Sequence, residues 1–417
     1  MRKGALLAVL DFLKKNKAKI IISSWGEPPE NRILTKLIGE FQAKNPNIQV
    51  ELEAIPYGEY FSRILDQFAA HNAPDVLFVS SLAIAEFYNR GFLEPLTPFI
   101  HADPSVSLES FYPSLVRWFT VGKNLYVLPR DIAPVCVVYI NKKIFQEAGE
   151  PIPKDEWTVE DFLKTALKLT QRDGQGNTLQ WGFVEDYPLP ESWIYAFGGR
   201  FVDDPHYPKR YRMDQPEFLK GIQFRFDLVS KHKVLPSPIE LSRPGAESPT
   251  ELFLNGKAAM ILSGIWKTPY FRDVPNFPWD IVPMPRVAWS PRAVVGGSSG
   301  YGIASTSKHK KEAWDLIAFL SGPQGQAELA STGLVQPALE SVAASPAFVD
   351  GKDPKNKKFL LRIVESALDD PLATNWLDVK RKVVYPALDK VWNGQESAEK
   401  AIRELNVELW NHPLELK

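Results

Sequence analysis

Apolar residues along this chain recur at two spacings, and the switch between them marks out the elements. Residues 19–24 (KIIISS) are a short β-branched run that predicts a strand. The next stretch sets Leu34, Leu37, Ile38 and Phe41 on one face at helical spacing. Asn45-Pro46-Asn47 ends that helix, because the residue before a proline is pushed out of the α region. A strand over 48–55, a helix over 60–71 and a strand over 75–79 (DVLFV) continue the alternation. Strands alternating with helices predict a parallel sheet flanked by helices.

Further along, 135–140 reads as another buried strand. Thr158-Val159-Glu160-Asp161 is a capping box, and the helix it opens has Val159, Phe162, Leu163 and Ala166 on its face. From Tyr187 to Pro249 the periodicity loosens under closely spaced prolines, and one helix stands clear, over 218–230. Strands are predicted at 258–263 and 279–282, with a Gly-Ser-rich strand at 294–304. A helix at 311–320 aligns Ala313, Leu316, Ile317 and Leu320. The last hundred residues are mostly helical and close on a stripe of Ala398, Ala401, Ile402, Leu405 and Leu409. No internal repeat interrupts this order.

A chain of 417 residues exceeds one ordinary core, so two domains are expected. Its 44% hydrophobic and 24% charged content is that of a soluble globular protein. Lys and Arg number 49 against 50 Asp and Glu, a balance that offers no basic stripe for nucleic acid or anionic lipid. No apolar run approaches the roughly 20 residues that cross a bilayer. Cys136, the one cysteine, lies in the run VCVVYI and reads as inert core. The six histidines are scattered without metal-ligand spacing, and no P-loop or Rossmann fingerprint occurs, so neither metal nor cofactor is expected. Met1-Arg2-Lys3 and the apolar stretch 4–10 have the first two parts of a secretion signal. Asp11 cuts that stretch short, Lys14-Lys15-Asn16-Lys17-Ala18-Lys19 replaces a cleavage site, and Leu6, Leu10 and Leu13 mark a short amphipathic helix. Most of the 12 Trp are expected in a large, aromatic-rich core, and the surplus leaves some free to line clefts.

A set of short blocks follows in fixed order. They are Ser24-Trp25, Phe41 with Asn45-Pro46, Asn72-Ala73-Pro74-Asp75-Val76, Gly91-Phe92-Leu93-Glu94-Pro95-Leu96, and Leu128-Pro129 before Tyr139-Ile140-Asn141-Lys142. After them stand Trp157-Thr158, the run 253–260 (FLNGKAAM), Gly264-Ile265-Trp266, Gly296-Gly297 and Ala313-Trp314 with Ala318-Phe319-Leu320. In this order the chain resembles the bacterial extracellular solute-binding proteins of the maltose- and multiple-sugar-binding group, the substrate-binding components of ABC importers. The resemblance runs from about residue 20 to about residue 409. It implies an α/β clamshell of two lobes joined by several crossing segments, each lobe a mainly parallel sheet flanked by helices, closing by a hinge over ligand. The lobes would be 20–130 with 293–332, and 131–292 with 333–417, residues 1–19 being an extension or degenerate signal. It further implies a monomer outside the cytoplasmic membrane, a carbohydrate ligand, an importer permease as partner, and no catalysis.

Each candidate contact has a competing structural role. Trp266 matches the family position whose indole stacks on a sugar ring; otherwise it is a core Trp. Trp25 and Glu27 occupy the first strand-to-helix loop, where a Trp serves ligand or packing equally. Ser80 and Ser81 follow a strand, as hydroxyl partners for sugar or as helix caps. Arg130 and Asp131 lie where the family's chain crosses between lobes: the carboxylate suits vicinal hydroxyls, the guanidinium suits an anion, and a plain ion pair is the alternative. Glu185 and Tyr187 match a polar, aromatic ligand loop of some relatives, and Trp193, Trp376 and Tyr385 are further aromatic candidates. Gly297 and Ser298 lie in Gly296-Gly297-Ser298-Ser299-Gly300, where the family brings backbone close to ligand and hinge. The same residues fit the nucleophile elbow of a serine hydrolase, but that motif needs a helix directly after it, and Tyr301-Gly302-Ile303-Ala304 continues as strand. A glycerol-phosphate-type or other anionic solute, held by Arg130 and the amides near Gly297, is the remaining alternative.

Overall fold

A computed structural model of the chain describes residues 17–26 and 28–415. Its strands are β1 (Ala18–Ser24), β2 (Ile48–Ala54), β3 (Val76–Ser80), β4 (Leu128–Ile132), β5 (Val137–Asn141), β6 (Val184–Glu185), β7 (Met260–Ser263), β8 (Trp279–Pro283), β9 (Val294–Val295), β10 (Ser298–Ile303), β11 (Gln336–Pro337) and β12 (Ala367–Leu368), with two short hairpins besides. The helices that matter here are α1 (Pro28–Lys44), α2 (Tyr57–Ala69), α3 (Val159–Leu169), α4 (Pro190–Ala196), α5 (Pro216–Ser230), α6 (Lys310–Leu320), α7 (Tyr385–Trp392) and α8 (Ala398–Glu408). The short amphipathic helix expected at Leu6, Leu10 and Leu13 lies outside the described residues. Among the described residues no helix is long and apolar enough to cross a membrane.

The chain divides into two compact units, Met1–Ile132 with Ser298–Phe348, and Ala133–Gly297 with Val349–Lys417. Residues 333–348 therefore go with the first unit rather than the second, because Gln336 pairs with Ile132 at the edge of its sheet. Residues 293–297 go with the second, where Val294 and Val295 pair with Ala367 and Leu368.

The sheet of the first unit has the order β11-β4-β10-β3-β1-β2. β1 runs parallel to β2 and to β3, as the alternation of strand and helix requires. β10 is antiparallel to both β3 and β4. Ile20, Ile22, Leu77, Phe78 and Val79 are fully buried, and the predicted face of α1, Leu34, Leu37, Ile38 and Phe41, is buried as well. The second unit has the order β6-β7-β5-β8, with β6 parallel to β7 and β5 antiparallel to β7 and β8. Both sheets are mixed rather than mainly parallel. The strands that run against the rest are β5, β10 and the two-residue edge strand β11. The chain enters β5 and β10 directly after a crossing between units, without a helical return to reverse it.

The strand expected over 294–304 is two strands, β9 and β10, interrupted at Gly296-Gly297. The reason is close backbone approach. A Cβ on Gly296 would fall 2.5 Å from the Leu368 carbonyl oxygen, and one on Gly297 would fall 2.8 Å from that of Ala133.

The proline-rich stretch holds more helix than its periodicity shows: α4 and α5, Pro238–Leu241 and Pro249–Leu254 each begin with proline at a first-turn position. Proline is suited to that position because the amide it lacks would have no partner there. Ser237 with Glu240 and Ser248 with Glu251 complete capping boxes. The box read at Thr158 forms as well, with Asp161 N donating to Thr158 Oγ1 at 3.2 Å and Thr158 N to Asp161 Oδ2 at 3.0 Å. Thr158→Ala is expected to lower stability by about 1 kcal/mol in urea unfolding, as loss of an N-cap does. An unchanged midpoint would show that the cap contributes nothing here.

Candidate functional site

In α/β sheets ligands gather where parallel strands end, since the loops there carry polar groups free of the strand ladder. In the second unit that end collects the exits of β6, β7 and β8 and the entry of β5. β7 leaves into the turn Gly264-Ile265-Trp266-Lys267. Tyr139, fully buried in the middle of β5, fixes this turn. Its hydroxyl lies 3.0 Å from the Gly264 carbonyl, 3.2 Å from that of Ile265 and 3.1 Å from Thr268 Oγ1. Burial pushes the Tyr139 pKa up, so the phenol stays protonated and able to donate. The six-membered ring of Trp266 occupies the space a side chain at 264 would need, since a Cβ there would fall 1.8 Å from its Cζ3. Glycine at 264 thus lets the indole lie across the backbone. Trp266 is half-buried, and the Tyr187 ring stands edge-on to it at 6.1 Å and 87°.

β6 delivers the other half of this cluster. Glu185, its last residue, points inward and is buried. It accepts from Trp193 Nε1 at 2.7 Å and from Arg225 Nε and Nη2 at 3.0 and 2.8 Å, while the guanidinium lies 4.5 Å from the Trp392 ring. Strand alternation sends the next residue the other way. Asp186 accepts from Thr250 Oγ1 at 2.8 Å and Ser263 Oγ at 3.0 Å, and Lys267 Nζ lies 3.2 Å away. Asp186, Tyr187, Trp266 and Lys267 are all half-buried. They form a platform of two aromatic rings and one ion pair.

The corresponding end of the first sheet gathers the exits of β1, β3 and β4 and the entries of β10 and β11. Trp25 follows β1, half-buried, with its ring 4.0 Å from Phe78 and edge-on to Tyr60 and Tyr57 at 4.9 and 5.9 Å. Ser80 Oγ accepts from Leu82 N at 3.3 Å, which makes it a cap for the turn that follows. Beneath this surface is a buried ion triad. Arg130 Nη1 donates to Glu30 at 2.6 Å and Nε to Asp131 at 2.6 Å, and the guanidinium lies 4.2 Å from the Phe78 ring. Burial alone would lower the Arg130 pKa; Asp131 and Glu30 outweigh it and hold the guanidinium well above its ordinary value.

Several expected contacts are therefore interior. Arg130 and Asp131 are buried, and Asp131 Oδ1 also takes Ser299 N at 3.1 Å and Ser299 Oγ at 2.9 Å. Ser81 is buried and its hydroxyl accepts from Ser298 N at 3.2 Å. Ser298 is buried, and its Oγ donates to the Asp131 carbonyl at 2.6 Å. It opens a strand rather than a helix, so it is no exposed nucleophile elbow. Glu185 and Trp193 bond each other in the core of the second unit, and Trp376 is buried 5.6 Å from Phe201. Gly297 is a backbone junction whose carbonyl accepts from Ala133 N at 2.7 Å. Tyr385 donates to Glu191 at 2.9 Å. Glu27 lies outside the described residues. Trp25, Ser80, Tyr187 and Trp266 keep partly open faces. Asp186, Lys267 and Tyr139 are not singled out by the sequence; the first two stand at the same strand ends, where Tyr139 fixes the turn. The two-residue strand period could have found Asp186, since only one of two adjacent carboxylates faces the core.

The comparisons with known proteins agree with this architecture. The model of the bacterial extracellular solute-binding protein family matches residues 25–327. An ABC substrate-binding protein of Listeria monocytogenes, solved in complex with cycloalternan, superposes with a TM-score of 0.83 at 24% identity, covering 94% of this chain and 98% of that one. Maltose-bound MalE3 of T. maritima does so with a TM-score of 0.80 at 25% identity, over 94% and 99%. The galactooligosaccharide-binding protein of Bacillus subtilis is 22% identical over 384 residues, 90% of this chain and 82% of that one. With its α/β fold shared with two-lobed binding proteins of the maltose type and its family model matched across most of its length, the chain belongs to the bacterial extracellular solute-binding proteins.

Proposed function

We propose that this protein is the substrate-binding component of an ABC importer, that it acts outside the cytoplasmic membrane, and that its solute is a neutral mono- or oligosaccharide passed unchanged to the permease. One observation carries the choice of solute: Trp266 laid over Gly264, beside Tyr187, at the strand-exit end of its sheet. A pyranose has an apolar C–H face that covers an aromatic plane, and hydroxyls at its rim for polar groups. Asp186 and Lys267 stand where such hydroxyls would seek an acceptor and a donor. Delivery to a permease needs no chemistry on the solute, and the serine that a hydrolase would use is bonded into the interior. An anionic solute is disfavoured because Arg130, the cation it was to use, is already shared by two carboxylates.

Calorimetry against a panel of mono- and oligosaccharides, with a glycerol-phosphate diester alongside, is expected to give at least one tight sugar. Binding of the diester with every sugar silent would overturn the proposal. Gly264→Ala provides a finer check, because the added methyl displaces the indole while leaving it in the sequence. We expect about a tenfold loss of sugar affinity, or 1.4 kcal/mol. An unchanged affinity would mean that the ring is not the contact surface.

A further inference from the structure

On the same end of the second unit's sheet stands another tryptophan that no part of the site above uses. β8 runs parallel to β7, so both exit at that end, two strand positions apart in the order β6-β7-β5-β8, a span of about 10 Å. The loop after β8 carries Trp289, a residue left 61% exposed. An exposed indole on a floppy loop would mean little. This loop is pinned. Arg286 Nη1 lies 3.2, 3.1 and 2.9 Å from the carbonyls of Val287, Ala288 and Ser290, wrapping the chain around one guanidinium. Val287 N donates to Ala196 O at 3.1 Å, tying the loop to the end of α4, and Val159 N donates to Arg286 O at 3.1 Å, tying it to the start of α3. Gly198, at φ +84°, lies beneath: a Cβ there would be 2.9 Å from Ser290 Oγ and 3.5 Å from Trp289 Cζ3. Lys220 Nζ is 5.8 Å from the ring centroid, a donor beside an aromatic plane.

A flat apolar face held in advance, with a donor beside it, is what sugar stacking requires, because ordering the loop on binding would otherwise cost affinity. Resting on the carbohydrate reading of Trp266, we infer that Trp289 is a second stacking platform and that the solute is an oligosaccharide long enough to extend from one indole toward the other. A single ring cannot span two strand positions, so Trp289 distinguishes chain lengths rather than sugar from non-sugar.

The test is calorimetry on the whole protein with maltose to maltohexaose and with galacto- and manno-oligosaccharides of matching lengths. The series that binds should tighten with length. Trp289→Ala should leave its shortest tight binder unchanged and weaken the longest about tenfold, the scale of one lost aromatic contact, while Trp289→Phe restores part of the loss. Equal affinity of wild type and Trp289→Ala at every length overturns the inference and leaves the carbohydrate reading standing; that result would be expected if Trp289 instead served a protein partner. Silence of the wild-type protein toward every sugar removes both.

Discussion

Trp266→Ala is expected to lower affinity for the best carbohydrate ligand about a hundredfold or more, the behaviour of an aromatic anchor at the centre of a contact surface. Stability should change little by comparison, about 1–2 kcal/mol, because the ring is half-buried and covers glycine rather than filling a core cavity. Trp266→Phe should recover part of the binding, since a smaller plane still meets a pyranose face. The two effects separate cleanly by pairing calorimetry with urea unfolding on the same variant. Loss of stability with retained affinity would assign Trp266 to packing, the role that a tryptophan after a buried strand otherwise has.

The second large effect goes the opposite way. Arg130→Met removes the cation shared by Glu30 and Asp131 and leaves two carboxylates in the interior of the first unit. Breaking a buried ion pair from one side costs about 3–5 kcal/mol, because the remaining charge is desolvated without compensation. Methionine fills space beside Phe78 but gives up the guanidinium–ring contact along with the ion pairs, so the loss reports mainly on charge. Urea unfolding should show it, while folded Arg130→Met binds sugar as the wild type does. A variant of wild-type stability that no longer binds ligand would return Arg130 to the binding surface, and the anionic-solute reading with it.

These contrasting roles show what is legible in a single chain. Helical faces were: Leu34, Leu37, Ile38 and Phe41 are all buried, as their spacing requires. The turn that carries Trp266 was legible too, since glycine directly after a buried strand marks a change of direction. The burial of Arg130, Asp131 and Glu185 was not, because strands covered on both faces give no polar alternation to tell inward from outward, and Trp193 lies on α4, which is buried all round from Glu191 to Ala196. Glu185 and Asp186 are adjacent carboxylates with opposite assignments, and only the register of β6 against β7 decides between them. The break at Gly296-Gly297 depends on the carbonyls of Leu368 and Ala133, which are far away in sequence. Two helix starts among the prolines are spelled out in the sequence: Ser237-Pro238 and Ser248-Pro249, each with Glu three residues after the Ser.

Determining the structure of the protein crystallised with the tightest sugar of the panel bears most directly on the account. The expected result is a pyranose lying with its C–H face on the Trp266 indole and hydroxyls within hydrogen-bonding distance of Asp186 or Lys267. Sugar bound elsewhere, with that indole untouched, would contradict it.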